Sequence, residues 1–81
     1  MIRSFRHKGL RDLFVANDPR RVRADLVDRC RVRLAALDQA TRPRDMSVPW
    51  FDFHALRGKP TRHSVHVNGP WCITFEWNDG D

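Results

Sequence analysis

The stretch PWFDFHALRGKPTRHSVHVNGPWCITFEW, Pro49 to Trp77, decides the fold. Its side chains alternate. Phe51 and Phe53 share a parity. So do Val65 and Val67 after Gly58-Lys59-Pro60, and Trp71, Ile73, Phe75 and Trp77 after Asn68-Gly69-Pro70. A period of two, rich in aromatic and β-branched residues and punctuated by Gly, Pro and Asn, is the pattern of strand, turn, strand, turn, strand. Asn68-Gly69 is a strong hairpin dipeptide, here followed by Pro70. The expectation is an antiparallel meander with one apolar face, on which Trp71, Ile73, Phe75 and Trp77 are core. The other face carries Asp52, His54, Ser64, His66, Cys72, Thr74 and Glu76. Chemistry is expected there.

Outward from this stretch toward the N-terminus, residues 41–48 form a polar connector with Met46 and Val48 tucked beneath it. Before it, residues 24–40 have helical spacing. Leu26, Cys30, Leu34 and Leu37 make one apolar stripe with Val27 beside it. At 1.5 Å per residue such a helix is about 25 Å long, enough to cover a small sheet. The stripe is expected to pack on Trp71, Ile73 and Phe75. Asp18-Pro19 is a start signal for this helix, with the Arg-rich residues 20–23 as an irregular lead-in. A first helix is predicted over residues 8–16 from Leu10, Leu13 and Phe14, ended by Asn17-Asp18-Pro19. Met1 to Phe5 suits an edge strand. In the other direction, Asn78-Asp79-Gly80 is a turn signal followed only by Asp81, so the strand from Trp71 is expected to keep one open edge. The predicted class is α+β, one domain over residues 1–81: two N-terminal helices on a small antiparallel sheet.

Composition narrows the function. A chain of 81 residues has room for one thin core. The formal charge of +5 favours a polyanionic partner, nucleic acid or an acidic protein segment. Most of the cations are Arg, whose planar fork suits phosphate better than the Lys point charge does. No apolar run approaches the ~20 residues of a membrane helix, and the N-terminus has no signal-like apolar segment. A cytosolic location without membrane contact is expected. Cys30 and Cys72 are isolated, without the CxxC spacing of zinc sites, and are expected to be free thiols. His63 and His66, three apart on a strand, fall on opposite faces, so no metal site and no cofactor is expected.

Several segments together resemble the HigB toxins of the RelE/ParE superfamily. They are Met1-Ile2-Arg3-Ser4-Phe5-Arg6-His7-Lys8-Gly9-Leu10, Asp45-Met46, His54-Ala55-Leu56-Arg57-Gly58, Ser64-Val65-His66-Val67-Asn68-Gly69-Pro70-Trp71, Ile73-Thr74-Phe75 and Asn78-Asp79-Gly80-Asp81. The resemblance spans essentially the whole chain. It implies a toxin of a type II toxin–antitoxin pair that cuts mRNA on the ribosome. It also implies restraint by a HigA-like antitoxin with a helix-turn-helix domain. The implied fold is RelE/ParE-like, two N-terminal helices on a small curved antiparallel sheet in the order β-α-α-β-β-β, with the RNA site on its concave face, which is the open face here. There are three departures from the family pattern. Arg57 stands where the family usually has Lys. Cys72 stands where Arg usually follows the Trp. The family's last strand, ending Asp-Tyr-His, has no counterpart after Asp81.

The candidate site residues follow from the open face and this resemblance. His54 is a candidate general acid or base, because a free imidazole titrates near neutrality. Arg57 is a candidate bidentate clamp for the scissile phosphate. His66 is a third catalytic candidate, set against the plain reading of a polar residue on a wet face. Lys59, Arg62 and His63, read as loop residues, are candidate RNA contacts, set against solvated charge. Cys72, expected beside His66, completes the RNA-binding set. Three functions remain open: an endoribonuclease toxin, a ParE-like inhibitor that binds a protein target without cutting RNA, and an inactive remnant that still binds its antitoxin.

Overall fold

The structure is a computed structural model that describes residues 2–58 and 61–77. It contains two helices and a three-stranded antiparallel sheet, an α+β chain. The chain divides into two compact units, Met1–Gln39 and Ala40–Asp81.

The first unit is helical. Helix α1 spans Lys8–Val15 and helix α2 spans Val27–Gln39. The His7 side chain starts α1 by accepting from the Leu10 N–H, satisfying a donor that the first turn leaves open. Asn17, at φ 54, ends it, because Asn tolerates the left-handed region better than most residues. Leu13 and Gly9 are buried. A Cβ on Gly9 would stand 2.8 Å from the Arg21 carbonyl oxygen, so the glycine lets the connecting loop lie against the helix. That loop is irregular. Asp18 does not cap α2; its carboxylate accepts from the backbone and the guanidinium of Arg20, which hold its pKa down to about 2. A 3₁₀ turn over Ala24–Leu26 then leads into α2. Leu26, Cys30 and Leu34 are buried, as the stripe predicts. Arg33 is buried as well, which the sequence does not suggest. Its guanidinium donates to the Arg29 carbonyl, and burial lowers its pKa.

The N-terminal edge strand does not form. Residues 2–5 are irregular, the Ile2 N–H donates to the Asp38 carboxylate, and the Phe5 ring lies 5.9 Å from that of Phe14. A strand there needs a neighbouring edge to pair with, and the Ile2 donor is already engaged at the end of α2. The observed order is therefore α-α-β-β-β.

The second unit carries the sheet. A 3₁₀ turn over Pro43–Met46 opens it, with the Asp45 carboxylate accepting from both the N–H and the hydroxyl of Thr41. Met46 is fully buried. Strand β1 spans His54–Leu56, β2 spans Arg62–Asn68 and β3 spans Trp71–Glu76, in spatial order β1-β2-β3. Val65, Val67 and Ile73 are buried, so the apolar face is where the alternation places it. The strand expected around Phe51 and Phe53 starts only at His54, because Asp52 sits in the left-handed region at φ 47. The hairpin turns at Gly69-Pro70 rather than Asn68-Gly69. Gly69 supplies the positive φ, 54°, at the first central position, and Pro70 supplies the negative one. A bulge between His66 and Asn68 shifts the register there. It leaves Trp71 half out of the core, 48% exposed, while Val67 is buried. Ser64, expected on the open face, is buried. The turn expected at residues 78–80 lies outside the described residues.

Candidate nucleic-acid interface

Strand register sets the face from which a site is built. Residues directly opposite each other in a sheet share a face. Three rows result: Leu56, Arg62 and Glu76; then His54, Ser64 and Thr74; then His66 and Cys72. Neighbouring strands are about 4.8 Å apart, so the hydroxyl-bearing Ser64 separates His54 from Thr74 by two such steps. His54 and His66 are diagonal neighbours on β1 and β2.

Each of these two histidines has one ring nitrogen committed to a carbonyl. His54 Nδ1 is 2.9 Å from the Asp52 carbonyl oxygen. A carbonyl only accepts, so Nδ1 carries the proton and the neutral ring keeps its lone pair on Nε2. His66 is the reverse: its Nε2 is 3.0 Å from the Gly69 carbonyl oxygen in the hairpin turn and carries the proton. One face thus presents two imidazoles of opposite tautomer. The His66 backbone N–H also donates to the Phe51 carbonyl, which ties the segment before β1 onto β2.

Charge on this face is uneven. Arg62 reaches Glu76 across the β2–β3 pair at 3.4 Å. Arg57, just beyond β1, is exposed, and no carboxylate among the described residues lies within ion-pair distance of it. It is available to a phosphate. Cys72 is exposed opposite His66, and Cys30 and Cys72 are both free. Burial pushes the Cys30 thiol up, which keeps it protonated and unreactive. Among the described residues no three of His, Cys, Asp or Glu converge as metal ligands would.

Residues 3–81 match the family described as the RelE-like toxin of type II toxin–antitoxin system HigB. The chain belongs to this HigB-like toxin family. Endoribonuclease HigB from Proteus vulgaris is 39% identical to it over 82 residues, spanning 100% of this chain and 89% of the relative. Membership of a type II toxin–antitoxin family implies an antitoxin partner. Among the described residues, no helix of this HigB-like toxin is long and apolar enough to cross a membrane.

Not every candidate residue meets on one face. His54, His66, Arg62 and Cys72 do, with Arg57 at the strand end. Arg62 and His63 belong to β2 rather than to a loop. His63 points the other way. Its ring stacks at 5.4 Å on Phe53 and at 5.4 Å on Phe75, and its buried Nδ1 has no hydrogen-bond partner. Alternation sends position 63 to the face opposite 62 and 64, a signal that the loop assignment overlooked. Lys59 lies outside the described residues. Sequence reasoning also missed the carbonyls of Asp52 and Gly69 as groups that orient His54 and His66. Backbone acceptors carry no side-chain signature, and only the left-handed tolerance of Asp and Gly hints at them.

Proposed function

We propose that this chain is a metal-independent endoribonuclease toxin that cleaves mRNA on the ribosome, blocks translation in the cytoplasm and is restrained by a HigA-like helix-turn-helix antitoxin. The observation that carries the reading is His54, an exposed imidazole with its proton held on Nδ1 and Arg57 near it in sequence. The relative named as an endoribonuclease supports it.

Neutral His54 accepts the ribose 2′-hydroxyl proton at Nε2. The 2′-oxygen attacks the adjacent phosphorus and the bond to the 5′-oxygen breaks, leaving a 2′,3′-cyclic phosphate. Arg57 donates two N–H groups to the phosphoryl oxygens as charge builds on them. His66 serves the leaving 5′-oxygen, delivering a proton from Nδ1 in its imidazolium form. Arg62 and Lys59 meet flanking phosphates, and Cys72 borders the RNA next to His66. His63 is assigned no more than an outer contact, because its ring packs in a cluster with those of Phe53 and Phe75 on the opposite face.

A second reading has one observation in its favour. Cys72 occupies the position opposite His66 where the family pattern carries Arg, so that row holds no guanidinium. On this reading the chain binds its antitoxin but cuts poorly. Induced expression with growth and mRNA cleavage as readouts separates the two. Cleavage by wild type, reduced about 10²–10⁴-fold in His54→Ala and about 10²–10³-fold in Arg57→Ala, supports the enzyme. Potent cleavage that survives His54→Ala rules out this site.

A further inference from the structure

We infer that Asp52 is a positioning residue that sets the tautomer of His54 through its backbone carbonyl; this rests on the reading of His54 as the proton acceptor. Asp52 does not act through its side chain. Its side chain is exposed, and among the described residues its carboxylate makes no hydrogen bond or ion pair. Its backbone is the unusual part. Asp52 is one of two non-glycine residues at positive φ among the described residues, at 47°. L-residues avoid this region because Cβ crowds the backbone, and Asp and Asn tolerate it best. The conformation interrupts the extended chain immediately before β1.

The interruption frees a carbonyl. The His66 N–H, which a continuing ladder would offer to this segment, is taken by the Phe51 carbonyl. The Asp52 carbonyl instead stands 2.9 Å from His54 Nδ1. Phe51 is buried and His54 is exposed, so a fixed residue on one side holds a solvent-facing ring on the other. Without this acceptor the neutral ring is free to carry its proton on Nε2, the atom that must be bare to take a proton from a 2′-hydroxyl. Asp at position 52 is therefore needed for the backbone it permits, and not for its charge.

The test pairs Asp52→Val with Asp52→Asn and Asp52→Gly. Val is β-branched and disfavours positive φ, whereas Asn and Gly accept it. The readouts are the nitrogen-15 NMR tautomer of His54 at a pH of about 8.5, where an ordinary imidazole is neutral, and the cleavage rate. Wild type, Asn and Gly variants are expected to carry the proton on Nδ1 and to cleave within about threefold of one another, which is under about 0.7 kcal/mol. The Val variant is expected to lose that preference and about tenfold in kcat with little change in KM. A wild-type proton on Nε2 overturns the inference, even if the Val variant fails to fold. Losses in Asn and Gly as large as in Val also overturn it, since the carboxylate would then be the active group. A shifted tautomer with unchanged cleavage upholds the link between Asp52 and His54 and removes His54 from the reaction.

Discussion

His54 and His63 sit on adjacent strands of one sheet, yet they differ in everything that decides a histidine's role. His54 is exposed, has one nitrogen satisfied by a carbonyl and leaves the other outward. His63 packs in a three-ring cluster with Phe53 and Phe75, with a buried nitrogen that has no hydrogen-bond partner. The difference comes from parity on the pleat. Position 54 pairs with 64 and position 63 with 55 and 75, so the two rings leave the sheet on opposite sides. The same residue type is a reagent on one face and a filler in an aromatic cluster on the other.

Four substitutions probe that contrast, starting with the largest effect. Ile73→Ala on the apolar face should cost about 2–5 kcal/mol in denaturant unfolding, because it empties a buried site. A loss below about half a kcal/mol would mean that the faces are assigned the wrong way round. Cys72→Arg on the opposite face places a guanidinium beside His66. It should raise mRNA cleavage by up to about 10²-fold, equivalent to about 2.7 kcal/mol, while leaving the unfolding midpoint almost unchanged. No gain would show that the row opposite His66 takes no part in charge stabilisation. His63→Phe removes the unsatisfied nitrogen and keeps a ring in the stack. It should stabilise by about 1 kcal/mol and raise the melting temperature by a few degrees without touching cleavage. A drop in cleavage at equal stability would return His63 to the RNA-contacting set. Trp71→Ala should be the mildest in stability, within about 1 kcal/mol, because the bulge already leaves the indole half exposed. A larger loss would make Trp71 the core residue that alternation alone suggests.

The parts of this chain that were legible share a cause. Val65, Val67 and Ile73 were readable as core, and Leu26, Cys30 and Leu34 as a buried stripe, because repeated spacing reports a face directly. Met46 under its connector was readable from the polar residues around it. Three of the misreadings also have a common origin: each turns on a single backbone dihedral or register step. Asp52 at φ 47 shortened β1, one extra residue near Val67 moved Trp71 outward, and the turn settled on Gly69-Pro70. Such events alter one residue and leave the surrounding pattern intact. Of the candidate site, the residue types were visible in the sequence. The tautomers of His54 and His66 were not, because carbonyls at positions 52 and 69 set them.

Strand order in this sheet follows chain order, β1-β2-β3. That has a kinetic consequence. Every pairing joins sequence neighbours, so no long loop must close before the sheet gains stability, and a topology of local pairings folds fast. The tightest step is the Gly69-Pro70 hairpin, of a kind that forms within about 1–10 μs. Its closure brings His66 opposite Cys72 and seats the His66 ring on the Gly69 carbonyl. The half of the face around His66 is therefore assembled by one short-range pairing. The half around His54 requires a second, between β1 and β2.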